Sequence, residues 1–258
     1  MEETGKNPIQ VAERLFQVIE RLAENGPMGI MDLSAELGFH KSTTHRLVTS
    51  LQYMGYIRQD EESLKYALSL KFLEIGSKIL EQTNMASLIH PSLKKLSEQT
   101  GETVHLVRRE GTEAVYNDKV ESTVSSIRMV SRVGSRIPLY CSGVGKALLA
   151  ELPDPEIEDI WNSSEITSLT PYTVTSLSDL MDRIRGVREA GYAMDDEENE
   201  EGVRCIAVSI PDYHKEPVYA LSISAPVSRM TDARIAELST DVLTFKKDLE
   251  KTLGFSRS

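Results

Sequence analysis

At 258 residues the chain is long enough for one large domain or two modest ones, and its 40% hydrophobic and 27% charged residues are those of a globular protein. Twenty-nine Lys and Arg against 40 Asp and Glu leave a net charge of -11, which excludes a generally basic coat, so contact with a polyanion must come from a local patch. No apolar run approaches about 18 residues and no basic segment followed by an apolar run opens the chain, so neither a membrane span nor a secretory leader is expected. Only Cys141 and Cys205 are present, which excludes a disulfide scaffold and a Cys-rich metal site and fits a cytoplasmic protein.

The first helix is predicted over 9–24, where Val11, Leu15, Val18, Ile19 and Leu22 recur at helical spacing. Asn25-Gly26-Pro27 ends it, through a glycine that tolerates a left-handed turn and a proline that lacks a donor. Two helices follow, over 30–37 and 42–54, with Gly38 and Gly55 past their ends and Leu47, Val48, Leu51 and Met54 as the buried face of the second. Strands over 56–58 and 64–68 flank the turn Asp60-Glu61-Glu62-Ser63. Three helices and a small hairpin make a winged helix-turn-helix over 1–68.

A connecting helix with Leu70, Leu73, Ile75 and Leu80 is expected within 69–84. The remainder, 85–258, mixes strand-like and helical runs and reads as an α/β or α+β domain. Its elements are a helix over 85–98 that Pro91 should kink or restart, and a hairpin of 103–108 and 113–119 through Glu110-Gly111. A strand at 126–129, a helix over 145–152 and another starting at Pro153-Asp154-Pro155 come next. A helix over 177–189 with Gly191 past its end, strands over 205–210 and 218–225, and a closing helix over 231–253 complete the chain. The whole is an α+β two-domain protein.

The run His40-Lys41-Ser42-Thr43-Thr44-His45-Arg46-Leu47 is the sharpest local signal. No acid lies between Glu36 and Asp60, although residues 1–75 carry 8 Lys and Arg against 11 Asp and Glu. Hydroxyls of Ser42, Thr43 and Thr44 at a helix start suit phosphate oxygens or base edges, Lys41 and His45 flank them, and Arg46 reaches one turn further. The plainer alternative is that Ser42 or Thr43 only caps the helix and Arg46 is solvated. In the hairpin, Lys65 and Tyr66 are placed to touch DNA, with Tyr66 packed inward as the alternative; the acidic tip argues against its insertion into a groove.

In the second part, Ser142-Gly143-Val144-Gly145-Lys146 resembles a phosphate loop only weakly, because Ala147 follows the lysine. Its two glycines at a helix start can still hold a small anion on backbone N–H groups, or simply make a tight junction. The acidic run Asp195–Glu201 reads as a solvated face, with a hard metal at Glu197 and Glu198 as a weak alternative. Cys205 starts an apolar strand and is expected to be buried; the one histidine near it in sequence, His214, sits in a turn, so a catalytic thiolate is not expected.

Taken in order, several motifs resemble the IclR family of bacterial transcriptional regulators over about residues 7–250. They are Leu33-Ser34-Ala35-Glu36-Leu37-Gly38 through Leu47, Gly55-Tyr56-Ile57, Tyr66-Ala67-Leu68, Ser142 through Ala147 with Leu149-Ala150, Gly191 through Glu198, and Gly202 through Ala207. The resemblance implies a winged helix-turn-helix, a linker helix and a GAF-like α/β effector-binding domain, in a homodimer or homotetramer that binds operator DNA. Many such proteins repress a nearby catabolic operon and some activate one, and their effectors are commonly small organic acids or aromatic metabolites, so a repressor that senses a small organic acid, with no cofactor and no metal, is expected.

In family members that bind small keto acids the backbone at the glycine loop meets the ligand carboxylate. The positions matching it are Gly143 and Val144, with Asp195 and Cys205 as polar pocket residues and Ile137 as an apolar wall. Ser142 is adjacent, and Ser222 lies on a strand within reach. Val144 departs from the Ala or Gly common there, which narrows the pocket and favours a compact ligand or a shifted pose. No arginine for a carboxylate is evident, so keto, sugar and aromatic acids all remain open. A ligand-sensing protein scaffold and a small-molecule enzyme are the competing functions; five scattered histidines supply no catalytic cluster for the second.

Overall fold

Three short helices open the chain, each too short to persist alone and each with an apolar face turned to the other two. The structure, a computed structural model, describes residues 8–82, 85–122, 130–212 and 216–253, with backbone alone at 79–82. The helices are α1 (Gln10–Asn25), α2 (Ile30–Leu37) and α3 (Lys41–Tyr53), followed by β1 (Ile57–Gln59), β2 (Tyr66–Leu68) and α4 (Lys71–Gln82). Val18, Leu22, Leu33, Leu47, Val48, Leu51, Ile57 and Tyr66 form one core. Gly38 holds φ at +65°, and its N–H reaches Ala35 O while Phe39 N–H reaches Ser34 O, which turns the chain sharply from α2 into α3. β1 and β2 pair antiparallel, with Ile57 opposite Leu68. The start of α4 is fastened to this unit: Lys71 Nζ donates to Met54 O at 2.7 Å, and Phe72 lies 5.2 Å from the Tyr56 ring.

The chain divides into two compact units, Met1–Thr83 and Asn84–Ser258. The second contains α5 (Met85–Thr100), β3 (Thr103–Glu110), β4 (Glu113–Val120), β5 (Arg136–Pro138), α6 (Gly143–Leu149), α7 (Asp154–Asn162), α8 (Leu177–Ala190), β6 (Ala193–Asp196), β7 (Val203–Ile210), β8 (Tyr219–Pro226) and α9 (Asp232–Thr252). The six strands make one sheet in the order β5-β4-β3-β8-β7-β6, every neighbouring pair antiparallel. Strand alternation divides the side chains between two layers. Leu106, Ile206, Val208, Leu221 and Ile223 meet Ile89, Leu93 and Leu96 of α5 and Ile235, Leu238 and Val242 of α9. Val107, Ala114, Ala193, Ala207 and Ala220 face Val144, Ala147 and Leu148 of α6, Ile157 of α7 and Leu180 and Ile184 of α8. The small alanines on that face let α6 approach the sheet.

Several expectations need correction. Met54 is half exposed rather than core, because α3 ends at Tyr53 and Met54 is its C-terminal cap. Pro91 does not restart α5, which runs unbroken through it; Ile89, Leu93 and Leu96 are fully buried on the helix face away from the exposed proline, and that packing outweighs a penalty of about 3 kcal/mol. β5 and β6 were not expected: one has three residues and the other runs into the start of the acidic run. The strand expected at 126–129 and His214 lie outside the described residues.

Candidate functional site

On α3 the exposed positions are Lys41, Ser42, His45, Arg46, Thr49, Ser50, Gln52 and Tyr53, a continuous stripe at helical spacing opposite the Leu47, Val48 and Leu51 face. The N-terminal cap is His40, not Ser42 or Thr43: His40 Nδ1 accepts the Ser42 N–H at 3.4 Å and hydrogen-bonds Ser42 Oγ at 2.8 Å. Thr43 is half-buried. Thr44 leaves the exposed set altogether. It is fully buried and its Oγ1 donates to His40 O at 3.4 Å, so no groove of DNA can reach it.

Tyr66 is corrected in the same way. Its ring is 8% exposed and packed in the core of the unit, while Lys65 beside it is exposed. Among the described residues the ion pairs of this unit are Arg21–Glu24, Arg21–Glu36 and Lys78–Glu74, so Lys41, Arg46, Arg58 and Lys65 have no carboxylate partner. Asp60 at the hairpin tip is held by the N–H and Oγ of Ser63, at 2.8 and 2.7 Å. That keeps its carboxyl below the usual range and the tip negative.

In the second unit, strand register assembles a polar row on the α6 side of the sheet. Asp195 of β6 lies opposite Cys205 of β7, Cys205 opposite Ser224 of β8, and Ser222 of β8 opposite His105 of β3. α6 closes over this row. Ser142 caps it, accepting the Gly145 N–H at 3.1 Å and donating to Pro138 O at 2.6 Å. The Gly143 backbone reaches the Cys205 thiol, and the Ser142 side chain takes the Gly145 N–H rather than that of Val144. A Cβ on Gly143 would stand 3.3 Å from Cys205 Sγ and 3.4 Å from Asp195 N, and one on Gly145 would stand 2.1 Å from Leu139 O. The second of these approaches admits no side chain.

The result is a cavity of about 40 Å³. All seven expected pocket positions line it: Ile137, Ser142, Gly143, Val144, Asp195, Cys205 and Ser222. Sequence reading missed His105, Tyr116, Ser131, Asn199, Glu200, Val203 and Ser224, which line it as well. For Ser224 there was a signal, since Ser222 and Ser224 alternate with Leu221, Ile223 and Ala225 and so share one face. His105 and Tyr116 come from strands distant in sequence, and only the sheet order brings them in.

Burial sets the chemistry of the cavity. Desolvation pushes the Asp195 carboxyl up to about 6, against the pull of Lys146 and the Glu198 N–H that reaches its Oδ1 at 2.8 Å. Desolvation pulls His105 down to about 3, so its ring is neutral and hydrogen-bonds Ser131 Oγ at 2.8 Å. Cys205 is half-buried rather than sealed in the core, yet burial holds its thiol well above the usual range. A thiol so raised is not a nucleophile. Behind the cavity, Lys146 and Glu198 form an ion pair at 2.5 Å, 1% and 3% exposed. This corrects the reading of the acidic run as a solvated face, and it turns Lys146 away from any role at the glycine loop. Breaking such a pair costs about 3–5 kcal/mol.

The family described as "IclR helix-turn-helix domain" matches residues 11–61, and that described as "Bacterial transcriptional regulator IclR C-terminal" matches residues 77–250. The acetate operon repressor of Salmonella typhimurium is 36% identical over 252 residues, covering 96% of this chain and 92% of the relative. The HTH-type transcriptional regulator XynR of Escherichia coli is 36% identical over 248 residues, covering 96% and 98%. Among solved structures, the Thermotoga maritima IclR is 31% identical with a TM-score of 0.63, covering 95% of this chain and 99% of that one. The Agobacterium tumefaciens repressor BlcR, at 24% identity and a TM-score of 0.78, covers 98% and 100% and shares the fold.

Proposed function

The chain belongs to the IclR family of bacterial transcriptional regulators, and is a regulator rather than an enzyme. On that premise we propose that the exposed face of α3 reads operator DNA and that the cavity under α6 holds a small organic acid which changes that binding. The observation that carries the first half is the stripe Lys41, Ser42, His45, Arg46, Thr49, Ser50, Gln52 and Tyr53, which joins unpaired cations and hydroxyls on one helix face as major-groove insertion needs. Lys65 and Arg58 lie on the hairpin side, where they suit phosphates. Domain 1–68 is the reader, 69–84 the linker and 85–258 the GAF-like effector and assembly domain, working as a homodimer or homotetramer.

For the second half, the effector's carboxylate sits on the N–H groups at Gly143 and Val144, with Cys205, Ile137, Ser142, Ser222 and Asp195 around its body. The helix end has orphan donors and a favourable dipole. Repression of a catabolic operon is the direction supported by the relative named for the acetate operon. The test is a fluorescence titration of operator and random duplexes. Arg46→Ala should weaken operator binding by about 1–3 kcal/mol if the guanidinium grips a base edge. Equal loss on both duplexes would reassign Arg46 to phosphate, and no loss on either would remove α3 from the interface.

A further inference from the structure

An anion site ordinarily supplies a cation, and this cavity has none. Among the described residues neither a lysine nor an arginine lines it, and its one histidine, His105, is neutral. Two carboxylates, Asp195 and Glu200, do line it. The lysine whose field reaches Asp195, Lys146, is outside the lining and already paired with Glu198. The N–H groups at the start of α6 can meet one carboxylate. A second carboxylate on the same ligand would meet Asp195 with no positive charge between them.

The rest of the cavity is short of hydrogen bonds rather than of charge. Ser222 Oγ, Ser224 Oγ and His105 Nδ1 are joined to one another by contacts of 3.4 Å, long for such groups, and Ser224 also reaches the Cys205 thiol. Asp195 Oδ1 accepts from the Glu198 and Asn199 N–H groups at 2.8 and 3.3 Å, and an ionised carboxylate has further acceptor capacity. A hydroxyl satisfies both sides at once, because it donates to Asp195 and accepts from a serine or the imidazole N–H. A keto oxygen or a carboxylate only accepts.

Resting on the effector reading above, we propose that the cavity is specific for a small hydroxylated monocarboxylate. Asp195 is its discriminating residue: it accepts the ligand hydroxyl and excludes dicarboxylates. His105, Ser222 and Ser224 complete the bonding of that hydroxyl.

Four three-carbon acids of nearly equal size test this by calorimetry on the full chain near neutral pH: lactate, glycerate, propanoate and malonate. Lactate and glycerate should bind. Propanoate, which lacks the hydroxyl, should bind about tenfold or more weakly, the loss expected when a buried polar group is left unpaired. Malonate should bind about a hundredfold more weakly than lactate, or not at all. In Asp195→Asn the malonate-to-lactate affinity ratio should rise about tenfold or more, because the like charge is gone. Ser222→Ala should bring lactate and propanoate closer together.

Malonate binding as tightly as lactate, or propanoate as tightly as lactate, overturns the proposal even if Asp195→Asn fails to fold, since the wild-type series decides it. Silence from all four acids also overturns it. Operator binding by the ligand-free protein, measured separately, tells that outcome apart from a failure of the regulator reading.

Discussion

Replacing Thr44 by Val removes a hydroxyl that lies inside the first unit, two residues before the exposed Arg46. We expect Thr44→Val to cost stability by about 1 kcal/mol and to leave operator affinity of the folded protein unchanged, as read by thermal unfolding and DNA titration. Thr49→Ala and Tyr53→Ala should do the reverse, losing DNA affinity with little change in stability. The sequence showed a polar helix start but not which hydroxyl points where. Helical phase makes Thr44 and Leu47 share a face, and that phase was recoverable from the Leu47, Val48 and Leu51 pattern. Thr49 and Tyr53 were missed because the polar cluster at 40–46 is dense and local, while they stand alone at the far end of the same stripe.

Asp195 carries a pH signature. Its folded value, about 6, is above the ordinary 3.8, so the folded chain holds this proton more tightly than the unfolded one. Its protonation therefore favours folding below about pH 4, and that contribution is lost as pH rises to about 6. His105, pulled down to about 3 from 6.5, acts oppositely, since folding is disfavoured as pH falls below 6.5. The two slopes offset each other in the wild type, so the useful quantity is a difference. Asp195→Asn should gain stability relative to wild type by on the order of 2–3 kcal/mol between pH 4 and pH 7, and the gain should level off above that. Thermal unfolding of both proteins across this range checks it; a flat difference would mean that Asp195 is solvated.

Among the elements, α6 is the one with least freedom. It is seven residues long, all buried, and it stacks its backbone at Gly145 directly on Leu139. Gly145→Ala should destabilise the second unit by at least the 1–3 kcal/mol typical of overpacking, seen as a lower urea midpoint. At Gly186, inside α8, an added Cβ would meet nothing within 4 Å, so Gly186→Ala should stabilise the unit by about 0.5–1 kcal/mol as an ordinary helix substitution and raise the midpoint. Equal effects at the two positions would contradict the close contact.

Most helices were legible to within a residue or two because their apolar spacing and terminal glycines agree, whereas α6, expected over 145–152, begins two residues earlier and ends three earlier. β6 was not legible, because four residues at the edge of a sheet carry two acids, and the burial of one of them, Asp195, depends on partners elsewhere. Lys146 is an example. Its pairing with Glu198 spans 52 residues, and nothing local in either motif announces it.

At the scale of the whole molecule, one helix-turn-helix covers one half-site, so specific binding calls for a two-fold pair of chains. Phe16 of α1 and Leu70 and Leu73 around the start of α4 are exposed apolar side chains that suit such pairing. Among the described residues no helix is long and apolar enough to cross a membrane. Light scattering of the free protein should give a dimer or tetramer, and a monomer at micromolar concentration would contradict the pairing.

The central claim is that this chain reads DNA through α3 as a symmetric pair. Selection of binding sites from a random duplex library, followed by salt-dependent titration of the enriched sequence against wild type and Arg46→Ala, tests it most directly. The expected result is a two-fold sequence with half-sites about one helical turn, roughly 34 Å, apart, with specificity lost in the variant. Recovery of no sequence preferred over random DNA, or a preference that Arg46→Ala leaves intact, would contradict it.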